Sequence, residues 1–79
     1  MHIKIQYFAI LREQTQKSEE IYAFSGTNVL ELYKEIKSKY KLEFSSQRLG
    51  VAVNDSFASW DTKLKDQDSV VFIPPVSGG

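Results

Sequence analysis

The residue types that carry most enzymatic chemistry are nearly absent from this sequence. There is one histidine, His2, and no cysteine. A Ser–His triad, a His-based metal site, a thiolate nucleophile and a Cys-ligated zinc therefore all lack their set. His2 reads as an exposed residue at the start of a strand. Asp55, Asp61, Asp66 and Asp68 lack the spacing of a calcium loop and read as turn formers. Gly26, Gly50, Gly78 and Gly79 make no phosphate-cradling motif. Arg12-Glu13 is charged enough to anchor a substrate, but an ion pair within the chain is the favoured reading.

What remains is the C-terminal segment Pro74-Pro75-Val76-Ser77-Gly78-Gly79. An apolar strand pattern, Ser69-Val70-Val71-Phe72-Ile73, runs up to it. The two prolines then end sheet pairing, since neither has a backbone N–H to donate. Gly78 and Gly79 have no side chain, so a carboxylate on Gly79 can enter a site where any side chain would clash. A carboxylate alone is a poor electrophile, because its charge is delocalised and its leaving group would be oxide. Conversion to an acyl-adenylate supplies a good leaving group, after which a sulfur or amine nucleophile can attack. No nucleotide-binding motif is present, so ATP and an activating enzyme would have to come from elsewhere. With no cysteine, sulfur could be carried only as a terminal thiocarboxylate or on Met1.

The elements that would position this tail are short. Ile3, Ile5 and Tyr7 alternate with His2, Lys4 and Gln6, the period of a half-buried strand whose Ile/Ile/Tyr face points to the core. Phe8 falls on the polar phase, where either its own loop covers it or it serves a function. Ala9-Ile10-Leu11-Arg12-Glu13-Gln14 loses the alternation and predicts a short helical turn. After a polar loop, Glu19–Phe24 resumes strand composition and Ser25-Gly26-Thr27 closes it. Asn28 opens the main helix, with Glu31 at the capping-box spacing and one apolar stripe of Val29, Leu32, Tyr33, Ile36 and Tyr40. On its other side Glu31 with Lys34 and Glu35 with Lys39 sit at supportive spacings, and the lysine-rich surface reads as solvated. Val51-Ala52-Val53-Asn54 is a buried-strand candidate followed by turn chemistry at Asn54-Asp55-Ser56. Phe57-Ala58-Ser59-Trp60 reads as a second short β segment. In the last strand one of the pairs Val70/Phe72 and Val71/Ile73 lines the core, and the other is exposed or covered by a partner.

Seventy-nine residues make one small domain, with 42% hydrophobic and 13% aromatic residues as in a folded chain. Ten basic and ten acidic residues leave no formal net charge, which disfavours nucleic acid as a partner. No apolar run approaches the roughly 18 residues of a membrane span. With no signal-peptide pattern at the start, a soluble cytoplasmic location is expected. Short strands around one central helix argue an α+β fold, with the helix packed across one face of the sheet. If the first and last strands pair centrally, they are parallel, the β-grasp arrangement.

Along nearly its whole length the chain resembles the small, sulfur-carrier subunits of molybdopterin synthase, which are ubiquitin-like β-grasp proteins. Phe8-Ala9-Ile10-Leu11-Arg12-Glu13 is similar to that family's F-A-x-L-R-E segment, and Val51-Ala52-Val53-Asn54 to its V-A-V-N strand. Asn28-Val29 through Leu32 matches its helix start, Leu64–Val70 its L-x-D-G-D-x-V turn and Pro74–Gly79 its ending. Gln67 is a departure: the family has glycine there, and a positive φ costs Gln more than Gly.

The resemblance implies a β-grasp domain over residues 1–74 and a flexible tail over 75–79. It implies a chain that is not catalytic alone and binds no cofactor or metal. An E1-like adenylating enzyme would use ATP to activate Gly79, and a sulfur donor protein would convert it to a thiocarboxylate. The tail, Val76, Ser77, Gly78 and Gly79, would then insert into the large subunit of the synthase and give its sulfur to cyclic pyranopterin monophosphate. Phe8, Phe57 and Ile73, with Pro74 and Pro75, are the expected partner interface. The family assembles as a heterotetramer of two small and two large subunits. Thiamine-type sulfur carriers and protein modifiers share the Gly-Gly end, and a β-grasp binding module with a frayed tail is the remaining alternative.

Overall fold

In the computed structural model, which describes residues 1–75, the centre of the sheet is a pair of strands from opposite ends of the chain. The five-stranded sheet has the order β2-β1-β5-β3-β4. Strand β1 (His2–Tyr7) lies antiparallel to β2 (Glu19–Ala23) and parallel to β5 (Ser69–Ile73), with Ile5 opposite Val70 and Tyr7 opposite Phe72. Strand β3 (Gly50–Val53) is antiparallel to β5 on its other side, and two-residue β4 (Ser56–Phe57) completes the edge. A parallel pair needs a long crossover. Here the crossover is everything between β1 and β5, and it carries helix α2 (Val29–Tyr40) across one face. The fold is α+β, of the β-grasp kind.

The alternation read from the sequence sorts the two faces as expected. Ile3, Ile5 and Tyr7 are at most 1% exposed, and in β5 it is Val70 and Phe72 that line the core. Helix α2 meets them with Val29, Leu32, Tyr33 and Ile36, all buried, while Tyr40 is half-buried at its end. Tyr33 packs on Phe72 with ring centroids 5.2 Å apart, and Trp60 stacks on Phe72 at 6.1 Å. The capping box of α2 is complete: Glu31 N–H donates to the Asn28 side chain, and the Glu31 carboxylate accepts from the Asn28 N–H. Gly26 closes the turn before it. A Cβ there would lie 2.5 Å from the Phe24 ring, so the close approach requires glycine.

Several local expectations are corrected by longer-range packing. The helical turn after β1 is a two-turn helix, α1 (Ala9–Thr15). The polar connection before β3 holds a 3-10 turn, Ser46–Arg48. The segment 57–60 does not form a strand along its length. Asn54 and Asp55 take φ 51° and 71°, the two left-handed positions of a tight hairpin, so pairing begins at Ser56. It ends at Phe57 because Trp60 turns inward onto Tyr33 and Phe72. The expected pairs on α2 do not form among the described residues. Glu31 is used in the cap, Glu35 accepts from the Tyr22 hydroxyl, and Lys39 reaches Glu20 at 3.8 Å. Nor does Arg12 or Glu13 enter any ion pair among the described residues, contrary to the expected ion pair within the chain. Gln67 does take the left-handed conformation, φ 75°.

Candidate functional site

The sheet has a finished face under α2 and an open one behind it. On the open face the registers define rows of neighbouring side chains. One row is Gln6, Val71, Ala52 and Phe57, since Gln6 pairs with Val71, Val71 with Ala52 and Ala52 with Phe57. The next contains Ile73 and Gly50. Phe8 extends that row: its backbone is still extended (φ −122°, ψ 154°), so it continues the alternation of β1 one residue beyond the pair Tyr7–Phe72. Phe8 is 51% exposed and Phe57 is 87% exposed. The loop after β1 therefore does not cover Phe8. Ile73, Pro74 and Pro75 are half-buried.

Charge divides this face in two. Its β1–β2 half carries His2, Lys4, Gln6 and Glu19 around an exposed Ile21, with a loose Lys4–Glu19 pair at 3.9 Å. Its β5–β3–β4 half is Ser69, Val71, Ile73, Gly50, Ala52 and Phe57, without a charged side chain. A contiguous apolar area with large exposed rings is the kind of surface that monomeric proteins reserve for partners. It lies at the root of the C-terminal tail, because Ile73 is the last paired residue and Pro74 follows it.

The finished face has its own polar cluster, which the linear sequence did not reveal. The Glu20 carboxylate accepts from the Tyr7 hydroxyl at 2.6 Å and the Tyr40 hydroxyl at 2.8 Å. Lys17 and Lys39 approach it at 3.4 and 3.8 Å. Burial works to raise the Glu20 pKa, but the two tyrosine hydrogen bonds and the two ammonium groups outweigh it and hold the carboxyl below its ordinary value. Burial, followed by the bond to Glu20, pushes the Tyr7 phenol well above its usual range. A carboxylate this well satisfied is a structural tie between β1, β2 and α2, not an available acid or base.

No group of three or more His, Cys, Asp or Glu side chains among the described residues is placed to hold a metal. Nor is any helix among them long and apolar enough to cross a membrane.

A model described as the ThiS family matches residues 5–79 of this chain. The chain belongs to the ThiS family. The Mycobacterium tuberculosis protein named molybdopterin synthase sulfur carrier subunit is 38% identical over 80 residues, covering 98% of this chain and 96% of the relative. A solved Pyrococcus furiosus structure assigned as molybdopterin converting factor subunit 1 is 35% identical, with a TM-score of 0.79 over 96% of this chain and 99% of that one. The fold recurs in a Helicobacter pylori complex of subunits 1 and 2 of molybdopterin-converting factor, at 24% identity and TM-score 0.69 over 100% of both chains.

For this ThiS-family chain the structure brings together Phe8, Phe57, Ile73 and Pro74 on or beside one face. Val76, Ser77, Gly78 and Gly79 lie outside the described residues. Sequence reasoning did not name Gly50 and Ala52 as part of the face. The alternation of β3, with Val51 buried between them, is the signal that would have found them.

Proposed function

We propose that this ThiS-family chain is the sulfur carrier of molybdopterin synthase, with the Gly79 carboxylate as the group that is charged and discharged. In the activating step a carboxylate oxygen attacks the α-phosphorus of ATP, pyrophosphate leaves, and an acyl-adenylate results. Sulfur at the sulfide level from a donor protein then displaces AMP and leaves a thiocarboxylate. In the large subunit that sulfur would bond to a carbon of cyclic pyranopterin monophosphate as a C–O bond of that carbon breaks, the oxygen leaving as water or with phosphate. Cleavage of the acyl–sulfur bond by water restores the carboxylate. A dithiolene needs two sulfurs, so the carrier must leave and be recharged, and its affinity for the large subunit should be moderate.

The observation that carries this reading is the uncharged apolar half of the open sheet face at the root of the tail, with Phe57 87% exposed. Docking through Phe8, Phe57 and Ile73 would hold the domain against the large subunit. Pro74 and Pro75 would stiffen the exit. Residues 76–79, when extended, would reach about 13 Å at roughly 3.3 Å per residue, enough to thread a channel. The chain supplies the sulfur-bearing group and the handle. The adenylating enzyme, the sulfur donor and the large subunit supply the catalytic side chains.

Intact-mass spectrometry of the protein from its native host tests the carrier role. A fraction with one oxygen exchanged for sulfur is expected, and deletion of Gly79 should abolish it. An unmodified terminus in cells with an active pathway would count against the proposal, and covalent ladders on lysines would point to a protein modifier.

A further inference from the structure

Gly50 begins β3 and pairs with Ile73, the last residue of β5. Its neighbour Val51 is buried, so the strand turns the Gly50 position onto the open apolar face. Nothing in the fold demands glycine there. No glycine among the described residues has a positive φ. A Cβ at Gly50 would lie 3.8 Å from Ile73 Cβ and 4.0 Å from its Cδ1, which is ordinary van der Waals contact. Gly26 is the contrast, since its own chain leaves no room for a side chain. Glycine weakens a strand through its extra unfolded-state freedom and its missing packing. At Gly50 the chain carries that weakness with no internal reason. Glycine in a strand also marks a place where another molecule approaches closely.

We infer that Gly50 is a specificity-determining residue of the docking face: the gap beside Ile73 takes a protruding apolar side chain from the large subunit that receives the tail. The inference rests on the docking role proposed above. The occupant is apolar because the gap is bordered by Ile73 and Ala52, with Phe8 and Phe57 beyond, and no charged side chain. It belongs to the large subunit because Pro74 follows Ile73 directly, so a protein holding the tail in its active site must lie against this spot. A side chain seated here would set the domain's position at the base of the tail and reject partners with a mismatched contour.

The test is calorimetric titration of the host's own large subunit with the full-length chain and its Gly50→Ala, Gly50→Leu and Phe57→Ala variants, with melting curves for each. Gly50→Ala should melt at or above the wild-type temperature. Filling a fitted gap should weaken binding about 10-fold for Ala and about 100-fold or more for Leu. The decisive variant is the larger of the two that keeps a wild-type melting transition. If it binds as tightly as wild type while Phe57→Ala binds weakly, the role of Gly50 is overturned and the docking face stands. If the wild-type chain does not bind the large subunit at all, the docking reading has failed and the Gly50 inference falls with it.

Discussion

The two faces of the sheet solve opposite problems. Under α2, Ile5, Tyr7, Val70 and Phe72 are at most 1% exposed, and even the carboxylate of Glu20 is surrounded by donors. Gln14 Oε1 is the one buried side-chain polar atom without a partner among the described residues. On the open face, Phe57 and Phe8 stand in solvent, and at Gly50 a Cβ would meet Ile73 at no less than ordinary van der Waals distance. One face is complete by itself, and the other leaves large apolar side chains uncovered. Substitutions of the same chemistry on the two faces should therefore separate stability from association.

The largest stability contrast is between two phenylalanines. Phe72→Ala empties the site where Tyr33 and Trp60 meet and should cost about 3–5 kcal/mol in urea unfolding. Trp60, the only tryptophan, reports that transition by fluorescence. Phe57→Ala should stay within about 0.5 kcal/mol of wild type while weakening capture of the large subunit. Equal destabilisation by the two would erase the distinction between the faces.

Glu20→Gln comes next. It removes the charge that Tyr7, Tyr40, Lys17 and Lys39 are arranged around, and should cost on the order of 1–3 kcal/mol at neutral pH. The sign with pH follows from the lowered pKa. The ionised carboxyl contributes fully above its unfolded value, near 4.5, and that contribution is lost as pH falls through the lower folded value. Wild-type urea midpoints should accordingly fall as pH drops from about 4.5 through the lower folded value and then level off for this group, and the Gln variant should show a shallower fall over that window. Parallel curves would mean that the cluster does not act through the charge of Glu20.

The smallest effect is expected at Gln67. Replacing it by glycine relieves a left-handed conformation, φ 75°, and should raise stability by about 1 kcal/mol, read as a higher melting temperature. Association should not change, because Gln67 lies in the turn before β5, whose N–H bonds to His2 at the far end of β1 from Tyr7.

Much of this arrangement was legible in the linear sequence, because it depends on local periodicity. The alternation of Ile3, Ile5 and Tyr7, the capping box at Asn28 and Glu31, and the proline exit after Ile73 each declare themselves within a few residues. The polar phase of Phe8 already marked it as a candidate for the open face. What was not legible depends on distant partners. Glu20 meets Tyr7 and Tyr40 across 13 and 20 residues of chain, so no local pattern announces the cluster. Trp60 shortens β4 through contacts with Tyr33 and Phe72, which helix and strand propensities do not encode. Gly50 carries no signal of its own in the linear sequence until the register sets it beside Ile73.

The most direct test of the central claim is a single-turnover reconstitution. The chain is prepared with a thiocarboxylate at Gly79 and mixed with the host's large subunit and cyclic pyranopterin monophosphate. The account predicts molybdopterin formation with the carrier returning to the mass of its free carboxylate, two carriers consumed for each product. A thiocarboxylated chain that binds the large subunit yet keeps its sulfur, with no product formed, would contradict it.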